Sequence, residues 1–145
     1  MRYNFNEGFI SAPDYSLDRT VHVLMPSPAS GGLTIVITRE EMEVDETAQQ
    51  FIDRQMALAA KQVTKFTRGV TESARLGAQV RLEGVKFPVS YKQQGQTLHH
   101  MQAIFQLSDQ RKMLSFTFTS PTELSSAQLK TVDDVLNSFT FHPVK

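Results

Sequence analysis

The sequence predicts an α+β fold: a curved antiparallel sheet with two helices packed on one face and a concave opposite face forming a binding groove. Three observations point there. Short runs alternate apolar and polar residues with the two-residue period of half-buried strands. Two segments, near 45–63 and 120–139, repeat apolar residues at helical spacing. The connections are too short for parallel crossovers except across those two segments.

Tyr3 to Ile10 mixes aromatic and polar residues and leads into the turn signal Ala12-Pro13-Asp14, which reads as a first strand. From Leu17 to Met25, Val21, Val23 and Met25 alternate with Thr20, His22 and Leu24. Pro26 to Gly32 forces a loop, and Leu33 to Thr38 returns as the second arm of a hairpin. Asp45 is the expected cap of a helix carrying Ala48, Phe51, Ile52, Met56, Ala59 and Val63 on one stripe, with Val44 as its staple. Between Phe66 and Leu107, breaks at Leu76-Gly77, Glu83-Gly84 and Gln94-Gly95 predict a meander of three strands. Lys112 to Thr119 alternates as a further strand. Ser120-Pro121-Thr122-Glu123 then resembles a capping box opening a second helix, whose stripe is Leu129, Val132, Val135, Leu136 and Phe139. Phe139 to Phe141 is expected at a sheet edge. With no internal repeat and no low-complexity linker, residues 1–145 read as one domain.

Lys plus Arg and Asp plus Glu both number 15, which leaves no net charge to draw phosphate backbones or anionic lipid, so no nucleic acid is expected as a partner. The chain has no cysteine, which excludes disulfides, thiolate metal sites and cysteine nucleophiles. Its first residues show no secretory or lipoprotein signal, so the expected location is cytoplasmic. No apolar run approaches the roughly 20 residues that span a bilayer, which argues against direct membrane insertion; membrane segments, if involved, belong to a partner.

One strand parity gathers the largest apolar residues and is the expected core under both helices: Val21, Val23, Leu33, Ile35, Ile37, Met101, Ala103, Phe105, Leu107, Leu114, Phe116 and Phe118. The opposite parity carries His22, Leu24, Thr34, Val36, Thr38, Leu98, His100, Gln102, Ile104, Gln106, Met113, Ser115 and Thr117. Lys and Glu are nearly absent from it, although a solvated sheet face normally carries them. Apolar residues interleaved with Gln, Ser, Thr and His suit a surface that binds an apolar object with small polar groups. A third layer, the chain's own loops or a second copy would also cover such a face.

Catalytic signatures are missing: there is no Gly-x-Gly-x-x-Gly, Walker loop, His-Glu-x-x-His or Gly-x-Ser-x-Gly. His99 and His100 are adjacent on a strand and point to opposite faces, a poor grip for one metal. His22 and His100 share a parity, with Ser115 or Asp109 as imaginable triad partners, but a histidine on a mixed face is usually a hydrogen-bonding residue. No catalytic residue, metal site or cofactor is therefore expected. Lys61, Lys65, Arg68, Arg75 and Arg81 read as a solvated rim.

The opening Met1 to Gly8, the segment Asp18 to Leu24, the strand Gly32 to Arg39 and the C-terminal helix together resemble the DcrB-related family, and within it the Eag chaperones of type VI secretion effectors. The resemblance runs over essentially the whole chain. It implies a PsbP-like fold and a cytoplasmic homodimer whose concave sheets cradle the N-terminal transmembrane helices of an effector until it is loaded on the secretion spike. In that setting Gln102, Gln106, Ser115 and Thr38 would hydrogen-bond the helices, and Leu24, Val36, Leu98, Ile104 and Met113 would supply contact area. His22, His100, Thr34 and Thr117 complete the groove, with Leu58 and Gln62 of the first helix at its edge. The rival readings are a structural assembly subunit and a small-molecule-binding domain with a closed pocket near His22 and His100.

Overall fold

The computed structural model describes residues 1–14, 20–26, 32–78, 82–107 and 111–141. Residues 17–19 of the expected second strand, residues 27–31 of the expected loop, Arg81 and Asp109 lie outside them. Strands β1 (Arg2–Phe5) and β2 (Gly8–Ser11) pair as a separate two-stranded sheet. The main sheet runs in the order β3 (Val21–Leu24), β4 (Thr34–Glu41), β9 (Lys112–Ser120), β8 (Gln96–Gln106), β7 (Leu82–Gln93) and β5 (Thr64–Arg68). β6 (Glu72–Leu76) also pairs with β7, and every pairing is antiparallel. Helix α1 (Ala48–Gln62) follows β4, and α2 (Ser126–Asn137) follows β9. The predicted α+β class with an antiparallel sheet is what the chain adopts, and the sheet is open.

Local chemistry explains where the elements begin and end. Gln94 and Gly95 both have positive φ, 52° and 78°, which makes a two-residue hairpin loop whose twist matches the long β7–β8 ribbon. Glu83-Gly84, by contrast, ends nothing. Gly84 lies opposite Phe105, and a Cβ there would strike the Phe105 ring and the Ile104 carbonyl, so the glycine makes room for an aromatic across the ladder. Residues 66–107 consequently hold parts of four strands in place of three. The expected first strand is itself folded into the β1–β2 hairpin.

Both helix starts lie C-terminal to the expected positions. Asp45 sits in a left-handed turn with φ 63°, and the N-cap of α1 is Thr47, whose hydroxyl accepts from the Gln50 amide at 3.1 Å while the Gln50 side chain accepts from Thr47 N–H at 2.9 Å. The α2 cap is Ser125 with Gln128, in the same reciprocal arrangement. Ser120, expected to cap that helix, is buried and accepts from the Thr122 amide in a turn before it. Phe139 to Phe141 form no strand; the two rings meet edge to face at 4.9 Å beyond the helix.

The helices pack on opposite faces of the sheet, a correction to the arrangement predicted from sequence. On one face Val132 and Leu136 of α2 join Leu33, Leu76, Met101, Ala103, Phe105, Phe116 and Phe118. On the other, Phe51 and Ile52 of α1 join Met42, Phe87, Val89, Ile104 and Met113. The physical reason lies in β7, where Val85, Phe87, Val89 and Tyr91 form the apolar parity; the β7–β8 register aligns this parity with Ile104, not with Phe105. The second apolar layer requires its own cover, and α1 supplies it. Strand β3 also reverses: Val21 and Val23 pair with Thr38 and Val36, whereas His22 and Leu24 pair with Ile37 and Ile35. A four-residue edge strand under neither helix leaves its larger residues exposed whichever way it faces, so alternation alone does not fix its parity.

Two outcomes follow. Ile104→Asp, like Phe116→Asp, is expected to abolish cooperative folding, because each places a carboxylate in a closed apolar cluster; urea unfolding followed by circular dichroism checks both. Thr47→Ala removes the cap of α1 and lowers stability by about 1 kcal/mol, read as a shift of the same unfolding midpoint.

Candidate functional site

Helix α1 covers the β7–β8 side of its face and Met113 at the start of β9, and leaves β4, the rest of β9 and the edge strand β3 beside it. Registers across the strands define the rows of this open floor. One runs Val23, Val36, Thr117 and Gln102 before reaching buried Phe87; the next runs Val21, Thr38 and Ser115 before reaching buried Ile104. A third joins Thr34, Thr119 and His100 to Val89. Adjacent strands lie about 4.8 Å apart, so the rows place apolar and small polar groups in alternating contact along a trough walled by α1. Among the residues of β3, β4, β8 and β9 on this face, Glu40 alone carries a formal charge, and it sits at the base of α1.

Most of the sequence-predicted residues share this face. Thr34, Val36, Thr38, Leu98, His100, Gln102, Ser115 and Thr117 are half-buried on it, as is Gln106 at its α1 end. Four others require correction. Ile104 and Met113, at 3% and 1% exposure, lie beneath α1 and offer no contact area. His22 and Leu24 turn to the opposite face, and Val21 and Val23, each 54% exposed, take their places. Leu58 and Gln62 are exposed one helical turn apart on α1, and Gln62 borders the trough.

At the inner end of the trough the C-terminal half of α1 and the β5–β7 edge enclose a cavity of about 170 Å³. Met56, Ala59, Val63 and Phe66 form its apolar walls, and Gln62, Tyr91, His100 and Gln102 contribute polar atoms. Tyr91 was not singled out in the sequence; its signal was its place in the alternation Val85, Phe87, Val89, Tyr91. The Tyr91 hydroxyl lies 3.1 Å from His100 Nε2, with the two rings edge to face at 4.9 Å. Burial, with the neighbouring His99 as a smaller cause, lowers the His100 pKa to about 4, and burial raises that of Tyr91. Thr117 Oγ1 donates to Gln102 Oε1 at 2.9 Å.

The imagined triad does not assemble. His22 and His100 occupy opposite faces, and Ser115 pairs with Ile104, four residues or about 13 Å along β8 from His100. Among the described residues no group of three His, Cys, Asp or Glu side chains is placed to hold a metal ion. Of the basic residues, Arg68 pairs with Asp53 at 3.0 Å and lies 4.4 Å from the Phe87 ring centre, and Arg75 pairs with Glu83 at 3.4 Å. Among the described residues no helix is long and apolar enough to cross a membrane.

The depressed His100 pKa sets a pH dependence. As pH falls from 6.5 toward about 4, an unfolded imidazole takes up a proton that the folded one refuses, so stability declines over that window. His100→Gln is expected to flatten the decline between those limits in pH-resolved urea titrations. The loss at still lower pH remains, because Glu46 and Asp53, held below their usual values by hydrogen bonds from Arg54 and Arg68, are protonated there in both proteins.

No curated protein aligns significantly with the chain. The crystal structure of protein PA94 from Pseudomonas aeruginosa, a protein of unknown function described as a candidate regulator, superposes with a TM-score of 0.70 at 17% sequence identity. The match covers 99% of this chain and 98% of that one, and it establishes a shared fold over the full length. The sequence pattern of the DcrB family matches residues 7–138, which takes in the main sheet, both helices and the trough between them. This chain belongs to the DcrB family.

Proposed function

We propose that this domain is a non-catalytic chaperone that holds the N-terminal transmembrane helices of a type VI secretion effector against the open sheet face until the effector is loaded on the secretion spike. The observation that carries this reading is the row Val23, Val36, Thr117 and Gln102, an uncharged mixed surface left open beside α1. The sequence resemblance to Eag chaperones supplies the identity of the cargo.

The dimensions suit such a cargo. An apolar helix is about 10 Å wide, and the uncovered strip from β3 to β9 spans roughly two strand spacings, so one helix fits beside α1. β4, at 8 residues, gives it a floor about 27 Å long, close to the hydrocarbon thickness that such a helix is built to cross. Each apolar side chain withdrawn from water there contributes on the order of 1.5 to 3 kcal/mol. The half-buried hydroxyls of Thr38, Ser115 and Thr117 face the small polar groups and backbone carbonyls that membrane helices present to one another. One trough takes one helix, so a cargo with paired helices needs two copies of the domain, which is the role we assign to a homodimer.

A second reading, small-molecule binding, draws support from a cleft of about 490 Å³ at the start of α2, where Pro88, Met101, Leu124 and Leu129 adjoin His99, Ser90 and Glu123. It predicts no dependence on apolar helices in a partner.

Co-purification with an effector fragment, with and without its N-terminal apolar helices, tests the proposal. Retention only when the helices are present is expected, and retention in neither case refutes it. Val36→Lys should abolish retention by placing an ammonium on the trough floor, while Leu24→Lys, on the opposite face, should leave it intact.

A further inference from the structure

The cavity at the inner end of the trough has a chemistry of its own, distinct from the flat rows that lead to it. The geometry points to a socket that accepts one uncharged hydrogen-bonding side chain, a carboxamide or a hydroxyl, projecting from a bound apolar helix. This assignment rests on the chaperone reading and adds a rule about which helix is preferred and in which register it is held.

Size comes first. A volume of about 170 Å³ corresponds to roughly six water molecules in the liquid, enough for the five heavy atoms of a glutamine side chain. The hydrogen-bonding groups come second. Gln102 uses its carbonyl oxygen to accept from Thr117, and its amide hydrogens meet no acceptor among the described residues, so in this orientation the amide is a donor available to a guest. The Tyr91–His100 pair is adaptable. If the hydroxyl donates to Nε2, its oxygen still accepts a further bond; if Nε2 donates, the hydroxyl hydrogen is free to donate outward. A carboxamide or hydroxyl, both donor and acceptor, satisfies either state.

Charge comes third. None of the lining residues carries a formal charge, and burial keeps His100 neutral through the physiological range. A carboxylate or ammonium entering here would lose its hydration without meeting a counter-ion, which excludes ionised side chains. A purely apolar side chain would leave the Gln102 donor dry and unpaired, which disfavours leucine or valine less severely. The expected order of preference is therefore carboxamide or hydroxyl, then aliphatic, then ionised.

The test uses lysine-flanked Leu/Ala helices of about twenty residues, each with a single central guest of Leu, Gln or Glu, titrated against the full chain by fluorescence anisotropy. In a uniform apolar background the helix is free to slide its guest to the socket. The wild type should bind the Gln peptide about fivefold more tightly than the Leu peptide, the worth of a single neutral hydrogen bond, and the Glu peptide most weakly. Gln102→Leu should bring the Gln-to-Leu ratio toward one; Tyr91→Phe, which keeps the ring and removes only the hydroxyl, should lower it independently. That coupling between guest and variant is a readout that a merely structural role would not move. Equal binding of the Gln and Leu peptides by the wild type, or a ratio unchanged in both variants, overturns the socket and leaves the chaperone reading standing. Failure of every peptide to bind overturns both.

Discussion

Strand β8 carries apolar side chains on both faces within one short stretch: Met101, Ala103 and Phe105 point one way, and Ile104 between them points the other. A strand of that kind cannot sit at a solvated surface, because either face would expose a full layer of large apolar groups. One helix per face resolves the constraint. α2 closes over the Phe105 side and α1 over the Ile104 side, and the long β7–β8 ribbon, pinned by the Gln94-Gly95 turn, holds both layers in register. The open trough exists because α1, at 15 residues, covers the strands nearest β8 and stops short of β3 and β4.

Formal charge is placed where it orients elements without entering the trough. Arg54 makes a two-bond pair with Glu46, both at 2.9 Å, at the entry of α1. Asp53 ties α1 to Arg68 of β5 at 3.0 Å, and Lys86 ties β7 to Asp133 of α2 at 2.8 Å. Solvent screens pairs of this kind, so they add little to stability. Their value is geometric, since each joins a helix to a particular strand or turn.

The class of the fold and most of the trough are legible from alternation, cleanest in β9, where Phe116 and Phe118 are buried between half-buried Ser115, Thr117 and Thr119, and broken in β4 by Ile35-Val36-Ile37 and in β8 by Ile104-Phe105. What alternation does not encode is which parity a neighbour adopts. Strand β3, with four exposed residues at the edge, takes the parity opposite to the one its alternation predicts, and His22 and Leu24 turn away with it. The opposite placement of α1 was present in the sequence as the adjacent pair Ile104-Phe105, a doubly buried signature, and as the apolar parity of β7, which Pro88 and Gly84 obscured. Asp45 and Ser120 were locally plausible caps, but the reciprocal pairs Thr47–Gln50 and Ser125–Gln128 satisfy two backbone donors each and prevail. Tyr91 lay in a segment whose boundaries the glycines had blurred.

The pairing of β4 with β9 also bears on how the molecule assembles. β7 and β8 meet through a two-residue turn, so their ladder closes at almost no entropic cost, whereas β4 meets β9 only after the whole segment from Met42 to Arg111 has been gathered in. β3 pairs with β4 and, among the described residues, with no other strand. The half of the trough floor farthest from α1 is thus the most costly part of the sheet to close and the least redundantly held. A helix bound over β3, β4 and β9, as in the proposed function, would brace that late-forming wall, so the bound helix and the sheet would each lend the other order.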